Sequence, residues 1–216
     1  MSELKEKLTR IKNRLEGYGA QLVAVSKYRP LAQLQEAIDA GQLHLGENRV
    51  QEMVEKQAAL PTTVCWHQIG TLQRNKAKYI APFVHLVHSA DGLALLQELD
   101  KQAAKAGRRI PYLLQMHIAQ EDTKQGLDRP ALEALLQDPL LPTLQHVELQ
   151  GLMGMATLTD DTARITAEFA GLRALFDELR RAGYPMQTLS MGMSNDWELA
   201  LEQGSTMVRV GSALFA

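Results

Sequence analysis

The stretch QLVAVSK, residues 21–27, is a short apolar run that ends in a serine and a charged lysine. Apolar runs of this length, bounded by polar and turn residues, are typical of parallel strands that are buried on both faces. Pro30 follows closely and cannot continue a strand interior, and a helical pattern begins directly after it. The stretch therefore predicts a buried strand, a short connection and a helix.

This strand-and-helix unit is repeated along the chain. The strand candidates are residues 21–26, 43–46, 64–70, 84–88, 112–118, 148–155, 188–193 and 207–210. Helical patterns occupy residues 31–40, 49–59, 71–80, 91–106, 129–137, 160–182 and 195–203, and an amphipathic helix with Leu4, Leu8, Ile11 and Leu15 on one face precedes the first strand. Uninterrupted alternation predicts an α/β fold with a parallel sheet, and eight strands predict one (β/α)8 TIM-type barrel with an extra N-terminal helix. A doubly wound open sheet is the alternative.

Composition restricts the function classes. The chain has 216 residues, 45% of them hydrophobic, and a formal net charge of −2, which predicts one domain over residues 1–216 and no nucleic-acid or membrane partner. Cys65, the single cysteine, excludes an internal disulfide and is expected in the core. No run of 18 apolar residues and no signal-like N-terminus is present. We therefore expect a cytoplasmic, monomeric protein.

Lys27 is the first candidate functional residue. It lies at the C-terminal end of the first predicted strand, which is the end where barrel proteins build their sites. A lysine at the lip of a buried strand is expected to be partly desolvated, and desolvation favours the neutral amine that can form a Schiff base. In a closed barrel the first strand lies beside the eighth, so Lys27 is expected close to any group bound there.

The ends of the seventh and eighth predicted strands carry the parts of a phosphate site. Ser194 follows Gly192 at one end, and Gly211-Ser212 stands at the other. Backbone N–H groups and hydroxyls at the start of a helix are what a phosphate needs. Taken alone, Ser194 is better explained as the N-cap of the next helix. Together with Lys27, the set indicates a phosphorylated aldehyde.

The histidines do not predict a metal centre. His85 and His88 are three residues apart, so on one strand their side chains are expected on opposite faces. The other histidines, His44, His67, His117 and His146, fall on separate elements. No metal-binding motif is present and no metal site is expected. His67, at the end of the third predicted strand, is the histidine expected to line the cofactor site.

Six runs carry a resemblance to a known family. They are AVSKYRP (24–30), LGENRVQE (45–52), WHQIGTLQRNK (66–76), GLMGMATL (151–158), LSMGMSNDWELA (189–200) and GSTMVRVGSALF (204–215). In order and spacing they resemble the pyridoxal 5′-phosphate homeostasis protein family, whose members are single-domain relatives of the alanine racemase barrel. The resemblance covers the chain from the first strand to its end.

The resemblance implies which residues hold the cofactor. Lys27 would carry pyridoxal 5′-phosphate as an internal aldimine, Ser194, Gly211 and Ser212 would surround the phosphate, and Arg209 would face the pyridine nitrogen. Asn48, His67 and Met193 are similar to further pocket positions of the family. Three features depart from it: Ser212 stands where threonine is common, Met116-His117 replaces a frequent Val-Asn pair, and the chain ends at Phe215-Ala216 with a final helix that is expected to be short or missing.

The same resemblance implies a carrier and buffer of pyridoxal phosphate in intracellular vitamin B6 homeostasis, in transient contact with apoenzymes, and no catalytic residue. A guanidinium keeps its proton, so a ring nitrogen that faces Arg209 stays unprotonated and the ring is a poor electron sink. In alanine racemase a second base comes from another domain, for which this chain is expected to have no room. A pyridoxal-phosphate-dependent racemase or decarboxylase is the alternative, and a cofactor-free Schiff-base aldolase is a third class.

Overall fold

The first and last strands of the chain are hydrogen-bonded to each other, and this pairing closes the sheet. In the computed structural model, which describes residues 2–120 and 125–215, the strands follow one another in chain order, all parallel, and β1 pairs with β8 from Gln21↔Met207 to Ala24↔Val210. The predicted (β/α)8 barrel is thereby confirmed, and the open sheet is excluded. The predicted domain of residues 1–216 includes positions outside the described residues, so the single-domain organisation stays a prediction.

The strands are β1 (Gln21–Val25), β2 (His44–Glu47), β3 (Cys65–Gln68), β4 (Leu86–Ala90), β5 (Ile110–Met116), β6 (Val147–Gly154), β7 (Thr188–Ser190) and β8 (Met207–Val210). The helices are α1 (Glu3–Glu16), α2 (Leu31–Asp39), α3 (Val50–Ala59), α4 (Ala77–Ile80), α5 (Leu93–Lys105), α6 (Arg129–Leu136), α7 (Thr162–Arg181), α8 (Trp197–Glu202) and α9 (Ser212–Phe215). Two 3-10 turns, Arg74–Lys76 and Leu141–Thr143, complete the described elements.

Several strand boundaries differ from the predictions, and two of these differences have a clear local cause. β7 ends at Ser190 rather than at residue 193, because Gly192 has a φ of +97° and turns the chain out of the sheet. β4 begins at Leu86, two residues later than predicted. Val84 still belongs to the turn that ends α4, because its N–H donates to Ile80 O. In both cases, residues that were predicted in a strand lie in a loop at an end of the barrel.

The core has two layers on either side of the strands. Inside the barrel, Val23, Leu86, Leu113, Met153 and Met207 pack together and are nearly inaccessible to water. Outside it, the other faces of the strands pack against the helices, including the predicted stripe Leu4, Leu8, Ile11 and Leu15 of α1. The barrel is therefore a filled core, and ligands can bind only at its two ends.

Among the described helices, α7 is the longest, and none combines the length and apolar character needed to cross a membrane.

Candidate functional site

The carboxyl ends of the strands meet in one opening that contains two adjoining pockets of about 460 and 630 Å³. Val25, Lys27, Met193 and Arg209 line both pockets. Asn48 lines one of them, and Ser194, Gly211 and Ser212 line the other. The structure thus brings together every predicted binding residue except His67.

Lys27 lies in the turn that follows β1. The N–H of Arg29 donates to Ser26 O at 3.1 Å, and Tyr28 takes a φ of +61°, a left-handed conformation that is uncommon outside glycine. Because β1 ends at Val25, two residues earlier, the Lys27 side chain is exposed. The fold thus supplies position, with Lys27 lining both pockets from an exposed turn.

A buried ion pair supports this turn from below. Lys56 of α3 places Nζ 2.5 Å from Glu47 Oε1 and donates to Ser26 O at 2.7 Å. The Ser26 hydroxyl donates to the same carboxylate oxygen at 2.7 Å. On the outer side, Glu52 Oε2 lies 3.2 Å from Lys56 Nζ and accepts from the N–H of Tyr28 at 3.2 Å. The residues on both sides of Lys27 are thus tied to one network.

Burial of this network changes the pKa of Glu47. Burial raises the pKa of the Glu47 carboxyl, and the hydrogen bonds from Lys56 and Ser26 partly offset this effect. Glu47 Oε2 has no hydrogen-bond partner in the part of the chain that the structure describes. Arg49 is the N-cap of α3, without a side-chain hydrogen bond, and Glu47 pairs with Lys56.

The predicted phosphate residues meet across the gap between β7 and β8. Ser194 Oγ accepts hydrogen bonds from the N–H groups of Gly211, at 3.1 Å, and Ala213, at 3.3 Å. The N-cap explanation for Ser194 is wrong, because α8 starts later and Asp196 occupies its N-cap position. Two backbone donors and the Ser194 hydroxyl therefore converge at one point beside Ser212, the first residue of α9.

Two close approaches of the backbone shape the opening. A Cβ on Gly211 would lie 3.1 Å from Val25 Cβ, so a side chain there would push against the β1 end. A Cβ on Gly70 would lie 2.7 Å from Asn48 O, and Gln68 Nε2 donates to the same Asn48 carbonyl at 3.0 Å. Asn48 is thus fixed on the pocket wall by the end of β3.

Arg209 forms the floor between the two pockets. It is 3% exposed, and NH1 donates to Ser190 Oγ at 2.6 Å and Ser190 O at 2.9 Å, while NH2 donates to Gly154 O at 3.1 Å. Burial lowers the pKa of Arg209 to about 10, and Asp196 acts against this shift. The guanidinium therefore keeps its charge at neutral pH in a fixed orientation.

His67 lies below this floor, inside the barrel. Its Nδ1 is 2.8 Å from His88 Nε2, and His88 Nδ1 is 3.0 Å from Ser190 Oγ. On the other side, His67 Nε2 is 2.9 Å from His44 Nδ1. His67 does not line the pockets; it touches them only through His88 and Ser190, which the sequence reasoning had not connected to the site.

The direction of this hydrogen-bonded chain follows from Arg209. Burial holds the pKa values of His67 and His88 well below the usual range, so each ring carries one proton. Arg209 can only donate, so Ser190 Oγ accepts from it and is free to donate its own proton to His88 Nδ1. His88 then donates to His67, and His67 to His44. The reverse direction would leave the Ser190 hydroxyl proton without an acceptor among the described residues.

Comparisons with known proteins agree with this geometry. The family model of the alanine racemase N-terminal domain matches residues 1–216. A pyridoxal phosphate homeostasis protein of Pseudomonas aeruginosa is 40% identical over 195 residues, 90% of this chain and 83% of that protein, and one of Aquifex aeolicus is 37% identical over 97% and 96% of the two chains.

Solved structures extend the likeness to three dimensions. PipY of Synechococcus elongatus, solved with pyridoxal phosphate bound, is 40% identical and superposes with a TM-score of 0.90 over 99% of this chain and 100% of its own. An alanine racemase of Clostridium difficile, 16% identical, shares the fold with a TM-score of 0.79 over 98% of this chain and 55% of its own.

The first prediction concerns the ion pair. Lys56→Met leaves Glu47 buried without its cation, so the free energy of unfolding should fall by about 3–5 kcal/mol, measured by urea titration. The double variant Glu47→Leu/Lys56→Met leaves no buried charge and should recover at least half of that loss. Glu3→Gln, which breaks an exposed pair with Lys7, is the matched control and should leave the urea midpoint unchanged. A Lys56→Met protein as stable as the parent would contradict this account.

Proposed function

The chain belongs to the family of the alanine racemase N-terminal domain, and from that premise we propose that it binds pyridoxal 5′-phosphate and serves in pyridoxal phosphate homeostasis. The observation that carries the proposal is the placement of Lys27, Ser194, Gly211 and Arg209 around one opening. They offer an amine, a hydroxyl with two converging N–H groups and a fixed cation, which fit an aldehyde, a phosphate and a pyridine nitrogen.

Each residue has a separate task in this proposal. Lys27 holds the cofactor covalently through its amine, which reaches the opening from an exposed turn. Ser194, Gly211 and Ser212 hold the phosphate, and Arg209 donates to the ring nitrogen while Ser190 and Gly154 fix the guanidinium. Asn48 and Met193 bound the ring laterally. When bound, pyridoxal phosphate supplies an aldehyde that condenses reversibly with amines.

Reversibility suits a carrier. The exposed Lys27 turn leaves the covalent link accessible to water and to competing amines, so the cofactor can be released as well as captured. We infer that the protein acts in the cytoplasm as a single-domain monomer and passes the cofactor to apoenzymes by transient contact. A site closed to water would instead retain the cofactor, as catalysis requires.

The second prediction tests Lys27. The protein loaded with pyridoxal phosphate should absorb at the border of the visible and ultraviolet, and borohydride should fix the cofactor on the Lys27 peptide. Lys27→Ala should abolish this absorption and the covalent label without changing the thermal midpoint, because an exposed side chain contributes little to packing. Lys76→Ala serves as the matched control and should keep both signals. Labelling mainly of Lys76, Lys78 or Lys124, the last of which lies outside the described residues, would overturn the assignment.

The third prediction separates phosphate binding from general stability. Ser194→Ala and Ser212→Ala each remove a hydroxyl from a charged acceptor, which costs about 1.5–3 kcal/mol, so the Kd for pyridoxal phosphate should rise about tenfold or more. The Kd for unphosphorylated pyridoxal should change less than twofold. Both ligands are titrated by the change in absorbance at equilibrium. Equal losses for the two ligands would show that these serines act through the fold instead.

The fourth prediction separates a carrier from a racemase or decarboxylase. Because the protonated Arg209 faces the ring nitrogen, electron withdrawal by the ring is weak and the α-proton of a bound amino acid should stay in place. Loaded protein mixed with L- or D-alanine in D2O should show turnover far below about 10 per second, the median for enzymes. Deuterium incorporation is followed by proton NMR, with Lys27→Ala as the control. Rapid exchange that Lys27→Ala abolishes would reject the carrier and support the enzyme.

A further inference from the structure

The opposite end of the barrel holds a cluster of histidines that the proposed function does not use. His44 begins β2, His85 immediately precedes β4, and His67 lies between them on β3. The ring centroids form a nearly equilateral triangle, with distances of 5.2 Å for His44–His67, 5.3 Å for His44–His85 and 5.2 Å for His67–His85. One nitrogen of each ring lies within 4.8 Å of the other two.

From this triangle we propose that His44, His67 and His85 bind one divalent transition-metal ion at the amino-terminal end of the barrel. Imidazole nitrogens bind such an ion at about 2.0–2.1 Å, which places tetrahedral ligands about 3.4 Å apart. The observed nitrogens, which lie within 4.8 Å of one another, must come closer to reach that arrangement, and the two outer rings are the ones that can move because neither is fully buried. His44 is half-buried and His85 is exposed.

His67 has the partner that a metal-binding histidine needs, because His88 Nε2 lies beside its Nδ1. In the metal-free protein His88 donates to Nδ1, so a metal ion on Nε2 reverses this hydrogen bond and Nδ1 then donates to His88. A ligating imidazole commonly donates its second ring N–H to a fixed acceptor, which orients the ring. His67 is fully buried, and its Nδ1 lies 2.8 Å from His88 Nε2, so Nε2 is the atom that faces the triangle. The innermost ligand is therefore held rigidly, while the outer two can adjust.

The ligand set also selects the class of ion. The cluster consists of imidazoles alone, without a carboxylate within its reach in the described ranges 2–120 and 125–215. Mg²⁺ and Ca²⁺ require oxygen ligands, whereas Zn²⁺, Co²⁺, Ni²⁺ and Cu²⁺ bind imidazole well. His85 is exposed, and a pocket of about 430 Å³ lies beside His44, lined also by Gln21, Gln42 and Lys12, so solvent reaches both outer ligands. Water would then complete the coordination of the ion.

This site is distinct from the cofactor opening and does not depend on the proposed function. Its outer ligands lie at the amino-terminal ends of β2 and β4 and His67 lies within β3, whereas Lys27 and Ser194 lie beyond the carboxyl ends of their strands. A failure of metal binding therefore leaves the cofactor proposal untouched, and the reverse also holds.

The experiment titrates the full-length, cofactor-loaded protein with Co²⁺ and Zn²⁺. Co²⁺ should produce the visible d–d bands of tetrahedral coordination at one equivalent, and Zn²⁺ should displace it. His44→Gln and His85→Gln, chosen because these side chains are accessible and their loss should not unfold the barrel, should each weaken Co²⁺ binding at least tenfold. His146→Gln alters a histidine far from the cluster that interacts with Asp100, and should bind as the parent does.

Two further readouts make the outcome decisive. Cys65 pairs with His44 across β2 and β3, so a cysteine-bound ion would show a thiolate charge-transfer band that Cys65→Ser removes. Circular dichroism checks that every variant is folded. Absence of one-equivalent binding by the parent, equal binding by His44→Gln and His85→Gln, or loss of binding in Cys65→Ser or His146→Gln would overturn the proposal.

Discussion

Lys56 Nζ and Glu47 Oε1 lie 2.5 Å apart beneath the turn after β1, and the position of the candidate site depends on this contact. Because the same ammonium also holds Ser26 O, the turn cannot shift without leaving a charge buried and unpaired. Glu52 extends the restraint to Tyr28, whose left-handed backbone is otherwise unfavourable. An exposed lysine, which would be mobile on a free loop, is thereby held over the pocket.

Barrel closure supplies the second constraint. The pairing of β1 with β8 brings the Lys27 turn beside Gly211, and the close approach of Gly211 to Val25 leaves little space for a side chain between them. The phosphate donors and the amine come from opposite ends of the chain, so only a closed sheet unites them. Inside the barrel, Leu113 and Met153 belong to an apolar layer. At His67 and His88 this apolar packing is replaced by hydrogen bonds between the rings.

Periodicity was sufficient to predict the barrel, since eight alternations leave few other topologies, and it placed Lys27 and Ser194 at the carboxyl ends of strands. Arg209 was named as a site residue only through the family resemblance. Periodicity could not predict contacts that depend on strand register. His44 pairs with Cys65 and Gly46 with His67, which sets the two histidines side by side, but a single sequence carries no register. His85 and His88 both contact the His67 ring, so they do not lie on opposite faces as predicted, because His85 precedes β4 and the register shifts between Val87 and Ala90. The prediction that these two do not bind one metal together is not contradicted, since the cluster leaves His88 out.

The histidine chain connects the two ends of the barrel through proton positions. With the ring nitrogens as Arg209 sets them, His67 carries its proton on Nε2 and donates to His44. A metal ion on His67 Nε2 requires the proton of that ring on Nδ1. His67 must then donate to His88, and His88 to Ser190. Ser190 Oγ thus accepts from both His88 and Arg209. The Ser190 hydroxyl, which is fully buried, then loses its acceptor, at a cost of about 1–3 kcal/mol. Metal binding and the hydrogen bonds of Arg209 are therefore linked reciprocally, with a coupling of that size at most.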